Sequence, residues 1–280
     1  MTQITSLLLG ITNNLAKKVL RLKIISLVAL LFLFIPESHS FDNENPTVFI
    51  TGSNRNIGLE FVKQFSENNW NVIATARKPG EANELQTIAA EHENVLIEQL
   101  DVTNHEEIDN LAEKYKNQSI DILLCNAALT PRYKSAFKKI DGVDLDIARS
   151  SFEINVLGPL KLIQSFMPHV EKSQGKKIIA LSSKQGSFGE RLKIPMMYSY
   201  SISKAGLNSL LYSLSFESKR KNILVVAISP GMVNTTAGMK IPGAIETEES
   251  VSKMMQVIED LTMADNGHFI DFEDGRKLAW

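Results

Sequence analysis

A chain of 280 residues, 44% hydrophobic and 22% charged, has the make-up of an ordinary globular protein with room for one sizeable core. Thirty Lys and Arg against 32 Asp and Glu leave a formal charge of -2, which argues against a nucleic-acid or polyanion partner. The single cysteine, Cys125, excludes an internal disulfide, and five scattered histidines without an H-x-x-x-H pair provide no zinc-type cluster, so no metal is expected.

The chain opens on a distinct segment. Residues 24–35 are an apolar run of twelve broken only by Ser26, preceded by Lys17, Lys18, Arg21 and Lys23. Pro36, Ser38 and Ser40 follow, then Asp42 and Glu44. A basic flank, a short apolar stretch and small residues at alternate positions describe an export signal. The run is shorter than the roughly 20 residues that cross a bilayer as a helix, so a membrane anchor through residues 17–36 is the second reading and a buried helix the third. Residues 1–40 are therefore expected to be a signal peptide or anchor, and 41–280 the domain. The protein is then exported or membrane-anchored, and cytoplasmic if the segment faces that way or translation starts nearer Val19.

From residue 47 short apolar runs alternate with amphipathic stretches. Thr47-Val48-Phe49-Ile50 reads as a strand running into a glycine turn at 51–58. Ile57, Phe61 and Phe65 recur every fourth residue, so a helix with one apolar face follows. The spacing then predicts a strand at 71–75, a helix at 81–91 and a strand at 95–100. Thr103 and Glu106 fit a capping box opening a helix to about residue 116. A strand at 120–125 precedes a long helix at 145–172, which Gly158-Pro159 should bend. A strand at 177–181, a helix at 201–221, a strand at 223–228, a helix at 247–263 and a short strand at 268–271 complete the chain. Strands alternating with helices of this length mean βαβ units: one α/β domain, a doubly wound parallel sheet covered on both faces.

The glycine turn sits between a strand and a helix, the context in which such a motif binds a dinucleotide. Gly52 permits the tight turn, and Gly58 lets the helix approach a pyrophosphate, which the helix N-terminus then meets with N–H donors. The plain alternative is an ordinary βα turn. Asn56 holds a position where such loops usually carry glycine, and Asn visits left-handed backbone more readily than most residues. The second strand ends Ala74-Thr75-Ala76-Arg77-Lys78, without the acid that would take the ribose 2′-hydroxyl of NAD. Arg77 and Arg55 instead suit the 2′-phosphate of NADP, unless both are simply solvated. Asp101 either accepts from an adenine amino group or starts the turn before Thr103.

Tyr200 and Lys204 are one helical turn apart and share a face. A free phenol has a pKa of about 10, and a nearby ammonium is expected to lower it and make the tyrosine a usable acid or base. Ser183 would hydrogen-bond a substrate carbonyl oxygen and share its developing charge. A lone Tyr-x-x-x-Lys is also what a plain helix surface offers. Tyr198 cannot do the same, because Ile202 lies four residues on.

Taken in order, the turn at 51–58, Asp101-Val102-Thr103, Asn126-Ala127, Asn155, Ser182-Ser183, Tyr200 to Lys204 and the segment Ser229-Pro230-Gly231-Met232-Val233-Asn234-Thr235 resemble the short-chain dehydrogenase/reductase family. The ending at 274–280 resembles the carbonyl-reductase-like and C-factor-like branch. The resemblance implies a Rossmann sheet of seven strands ordered 3-2-1-4-5-6-7. It implies Tyr200 as proton donor, Lys204 holding the nicotinamide ribose and tuning Tyr200, Ser183 orienting substrate, and Asn155 keeping a water relay to Lys204. It also implies cofactor contacts from Gly52, Asn54, Arg55, Asn56, Ile57 and Gly58 in the turn, and from Arg77, Asp101, Val102, Asn126 and Ala127. Pro230, Gly231 and Val233 would border the nicotinamide, and Thr235 would reach its amide or the phosphates. Asn56, Cys125 and Ala128 depart from the family pattern, in places that bear on cofactor binding rather than proton chemistry. The helices at 145–172 and 201–221 are the family's usual dimer surface, so a homo-oligomer is expected.

Arg132, Tyr133, Lys134, Lys138 and Lys139, with Lys184, Arg191 and Lys193, would make a basic entrance for an acidic substrate, or merely solvated loops. Residues 232–246 should form the substrate lid, and Met196 and Met197 an adaptable wall. The expected activity is NADPH-dependent reduction of a ketone or aldehyde, or oxidation of the alcohol, with NAD the second choice of cofactor and a small molecule the only partner besides a second copy. A non-enzymatic NAD(P)-binding or signalling protein on the same fold is the alternative. An isomerase or dehydratase is weaker still.

Overall fold

Apolar strand runs dominate the computed structural model, which describes Phe41 and residues 44–130, 136–235 and 240–280. They form β1 (Thr47–Ile50), β2 (Asn71–Ala76), β3 (Val95–Gln99), β4 (Ile122–Cys125), β5 (Lys177–Leu181), β6 (Leu224–Ser229), β7 (Phe269–Asp271) and β8 (Lys277–Leu278). The sheet order is β3-β2-β1-β4-β5-β6-β7-β8. Neighbours from β3 through to β7 pair in parallel, and β8 runs antiparallel to β7. The expected seven-strand order is present. The two-residue β8 is an addition that the sequence signals too weakly, since a strand that short has no period.

Helices cover both faces: α1 (Asn56–Glu67), α2 (Asn83–Glu91), α3 (His105–Lys114), α4 (Leu145–Phe152), α5 (Gly158–Glu171), α6 (Tyr198–Ser218) and α7 (Thr247–Asp260). Strands buried on both faces read as continuous apolar runs. β1 divides its side chains accordingly. Val48 and Ile50 join a core with Phe61 and Val62 of α1, while Phe49 joins the opposite core, its ring 4.5 Å from Phe166 of α5. β1 lies between β2 and β4, so consecutive strands diverge there and leave a crevice at their carboxyl ends. The glycine turn opens into that crevice.

Three element predictions need correction. The cap of α3 is Asn104, one residue later than the Thr103 box: its side chain accepts from Glu107 N, and the Glu107 carboxylate reaches back to Asp101 N at 2.7 Å. Thr103 is unavailable because its hydroxyl donates to Asp101 Oδ1 at 2.8 Å. The long helix at 145–172 is α4 and α5 joined by a single π turn, Glu153–Leu157. Gly158 lets the helix approach closely there, since a Cβ on it would stand 3.0 Å from the Val102 carbonyl oxygen. Helix α6 begins at Tyr198, ahead of the expected 201, because Met197 turns the chain in left-handed backbone, φ 54°. The signal or anchor at 1–40 lies outside the described residues. Among the described residues, no helix is long and apolar enough to cross a membrane.

Candidate active site

The turn between β1 and α1 is packed too tightly for side chains. Gly52 has φ 70°, and a Cβ there would lie 2.9 Å from Ala127 Cα. A Cβ on Gly58 would stand 2.2 Å from the Gly52 carbonyl oxygen and 2.4 Å from Asn126 Nδ2. Asn56 takes φ 49°, the left-handed conformation that Asn tolerates where glycine is usual. Helix α1 starts with no side-chain cap from Arg55 and no acid in its first turn. Its leading N–H groups therefore have no intrahelical partner and point, with the positive end of the helix dipole, out of the turn.

The turn is braced from both neighbouring strands. Thr51 Oγ1 accepts from Asn126 N at 3.0 Å and Ala127 N at 3.1 Å, and Asn126 Nδ2 donates to the Thr51 and Gly52 carbonyls at 2.8 and 3.0 Å. Ser53 N donates to Thr75 O at 2.8 Å, and its hydroxyl accepts from Thr75 N. Asn126 thus spends its side-chain N–H groups on the turn's backbone. Asn54 and Arg55 are exposed and Ile57 is half-buried. Arg77 follows β2 and is exposed; among the described residues neither it nor Arg55 is in an ion pair. Asp101 Oδ1 accepts from both the amide and the hydroxyl of Thr103, which closes the turn before that residue. Val102 is buried beside Gly158.

Across the crevice, Ser183 follows β5 and hydrogen-bonds the Tyr200 hydroxyl. Lys204, 3% exposed, donates from Nζ to the Leu181 carbonyl at 2.6 Å and lies 5.7 Å from the centroid of the Tyr200 ring. Burial pushes its ammonium down to about 8. Tyr200 keeps some exposed surface, yet burial of its hydroxyl pushes the phenol up to about 12, against the lowering effect of Ser183. This corrects the expected depression. The cation is itself desolvated and turned onto a backbone carbonyl, so desolvation of the phenolate wins.

Asn155 sits in the π turn, fully buried. Its Oδ1 accepts from Leu129 N at 2.7 Å, and its Nδ2 donates to Leu129 O at 3.1 Å and to Ser203 Oγ at 2.9 Å. Ser203 Oγ in turn donates to the Tyr200 carbonyl at 2.8 Å. Asn155 therefore ties the segment after β4 to the helix of Tyr200, and its direct polar contacts do not include Lys204.

The segment after β6 forms the third wall. Gly231 has φ 80° and packs on Phe272, and the Pro230 carbonyl accepts from Ser250 Oγ at 2.7 Å. Val233 bridges to Ile245, and Thr235 is exposed. Of the basic entrance, residues 131–135 lie outside the described residues, and Lys138 and Lys139 are exposed. Lys184 is drawn away: its Nζ lies 2.7 Å from Oδ2 of the buried Asp271. Arg191 stacks over the Phe188 ring at 5.2 Å.

Residues 46–246 match the family model described as short chain dehydrogenase. The chain belongs to the short-chain dehydrogenase family. An uncharacterized oxidoreductase of Schizosaccharomyces pombe is 32% identical over 248 residues, covering 82% of this chain and 96% of that protein. Among solved structures, the carbonyl reductase Sniffer of Drosophila melanogaster superposes with a TM-score of 0.77 at 28% identity, covering 84% of this chain and 100% of Sniffer. An NADPH-bound carbonyl reductase from chicken fatty liver gives 0.77 at 30% identity, covering 84% and 99%. This short-chain dehydrogenase is therefore an oxidoreductase with carbonyl reductases as structural neighbours.

Sequence reasoning missed the residues that hold this dehydrogenase's site together. Thr51, Ser53 and Ser203 do so through buried hydroxyls. Their signal was present, as small hydroxyl residues at a strand end and one position before Lys204, but a hydroxyl's partner is not written in its neighbours. Cys125, 4% exposed, lies close enough to Lys204 for that ammonium to pull its thiol down, although burial still holds the thiol at about 12. The same proximity joins the two halves of the crevice, since Asn126, the next residue, braces the glycine turn.

Proposed function

We propose that this short-chain dehydrogenase is an NADPH-dependent carbonyl reductase in which Tyr200 donates the proton. The observation that carries the reading is a phenol hydrogen-bonded to Ser183 and backed by the buried Lys204. The carbonyl-reductase neighbours, one of them bound to NADPH, support it. The residues at the other end fit a phosphorylated dinucleotide. Uncapped N–H groups of α1 suit the pyrophosphate, and the exposed guanidinium groups of Arg55 and Arg77 suit a 2′-phosphate. When bound there, NADPH supplies the hydride for the carbonyl carbon.

The chain's own residues do the rest. Ser183 donates a hydrogen bond to the carbonyl oxygen and stabilises the charge that grows on it. A phenol held at about 12 keeps its proton throughout the neutral range, so Tyr200 starts the reduction in its donor form. Lys204, still largely ammonium below about pH 8, steadies the phenolate that Tyr200 becomes. The test is NADPH oxidation across a panel of ketones and aldehydes. Tyr200→Phe should abolish turnover and leave NADPH binding within about twofold. An active Tyr200→Phe variant would refute the assignment. No turnover by the unmodified protein, with NADPH bound, would favour a non-enzymatic binding role.

Residues 41–280 make up the catalytic domain in this reading, and 1–40 a signal or anchor that carries it out of the cytoplasm or holds it at a membrane. N-terminal sequencing of the fractionated native protein tests that part.

A further inference from the structure

The loop that carries Ser183 is held from outside the sheet. Ser187, 1% exposed, donates from Oγ to the Ala279 carbonyl at 2.7 Å, and the same oxygen accepts from Gly189 N at 3.1 Å and Glu190 N at 2.9 Å. Phe188 N donates to the Trp280 carbonyl at 3.1 Å. In return, Ala279 N donates to Glu190 Oε1 at 3.1 Å. The contact leaves no slack, because a Cβ on Gly189 would stand 2.6 Å from Ala279 Cβ. Trp280 is fixed in turn. Its ring stacks at 20° on Phe269 of β7 and meets Tyr212 of α6 edge-on, each at 5.8 Å.

The opposite side of the loop rests on the catalytic helix. A Cβ on Gly186 would lie 2.6 Å from the Lys204 carbonyl carbon and 2.8 Å from Lys204 Cβ. The loop is thus wedged between the segment 279–280 and the backbone of Lys204, with Ser183 at its leading end. Ser183 is joined to this wedge through residues 184–186, a single turn of 3-10 helix that the Ser183 side chain caps.

We propose that Ala279 and Trp280, through Ser187 and Glu190, form a clasp that sets the Ser183 loop on Lys204, and that Glu190 is thereby a positioning residue for proton transfer. The proposal rests on the reductase reading. Glu190 needs only an acceptor oxygen for this task, so charge is dispensable and the amide of Gln serves.

The experiment compares Glu190→Ala and Glu190→Gln with the unmodified full chain by hydrogen exchange at the amides of residues 188–190 and 279, by NADPH titration and by steady-state kinetics. Glu190→Ala should lose amide protection and about tenfold in kcat, since misplacing a catalytic group by a fraction of an ångström has effects of that order. NADPH affinity should stay within about twofold, and Glu190→Gln should recover both protection and kcat. Undiminished kcat despite lost protection, unchanged protection, or no recovery in Glu190→Gln each overturns the clasp. Ser187→Ala should show the larger effect, and if it does not fold, the Glu190 pair still decides. Absence of turnover in the unmodified protein would overturn the reductase reading instead, and protection at 188–190 would then decide whether the clasp exists.

Discussion

At the scale of single residues, the site departs from the simplest reading of Tyr-x-x-x-Lys in which group carries the titration. Tyr200 is held at about 12 and Lys204 at about 8, so the lysine changes state first as pH rises. Below about 8 the ammonium is present, and in the proposed mechanism it supports the phenolate left by the departing proton; above that pH the mechanism loses this support. The rate of carbonyl reduction, measured as kcat/KM between about pH 6 and 10, should therefore fall by up to about tenfold per pH unit above 8. A profile flat to pH 10 would mean that Lys204's charge is not used. Cofactor choice also belongs to this scale. Arg77 follows β2 where NAD-binding chains carry an acid, and it has no carboxylate partner among the described residues. Arg77→Ala should weaken NADPH binding by tenfold or so and leave NADH nearly unchanged, as charge-assisted contacts to phosphate are among the stronger hydrogen bonds. Equal losses for both cofactors, read by fluorescence titration, would sink the clamp.

At the scale of elements, legibility followed the reach of the interactions. β1, β2, β5 and α1 were readable because apolar period and turn chemistry are local. The cap of α3 was misread by one residue because Thr103 was already committed to Asp101, a competition that a box motif does not display. The π turn before Gly158 was seen only as a bend. Gly158 after it packs on Val102, more than fifty positions earlier, and the sequence shows the glycine without the contact. The turn into α1 allows a direct test of such contact. Gly58→Ala places a methyl carbon 2.2 Å from the Gly52 carbonyl oxygen, which is backbone and braced by Asn126. Overpacking of this kind costs roughly 1–3 kcal/mol, more than the gain of up to about 1 kcal/mol from Ala in a helix. The variant should melt several degrees lower and bind NADPH more weakly. Unchanged melting and affinity would mean that the turn has room to yield.

At the scale of the whole molecule, the alternation of strands and helices was legible as a parallel sheet covered on both faces. The strand order came from the family resemblance, because period and turn chemistry do not say which strand neighbours which, and the sheet met it. What covers the outer helices was less legible. Helix α6 is long, and its buried face reads through Leu207 and Leu211, yet it also carries Ile202 at 59% and Phe216 at 63% exposure. These two lie close to four helical turns apart, on one side. Beside them α4 presents Leu145 at 63% and Phe152 at 40%, with Phe152 packed over Gly206 of α6. An apolar surface running across two helices is costly to leave in water, and a second copy presenting the same surface would cover it symmetrically. The protein should therefore sediment at twice its protomer mass, and Ile202→Glu combined with Phe216→Glu should return it to the protomer, because each added carboxylate would face its own kind across the two-fold. Both side chains point to solvent, 59% and 63% exposed, so NADPH affinity should survive the change. A wild-type protein that sediments as a single copy at micromolar concentration would leave that surface with another purpose.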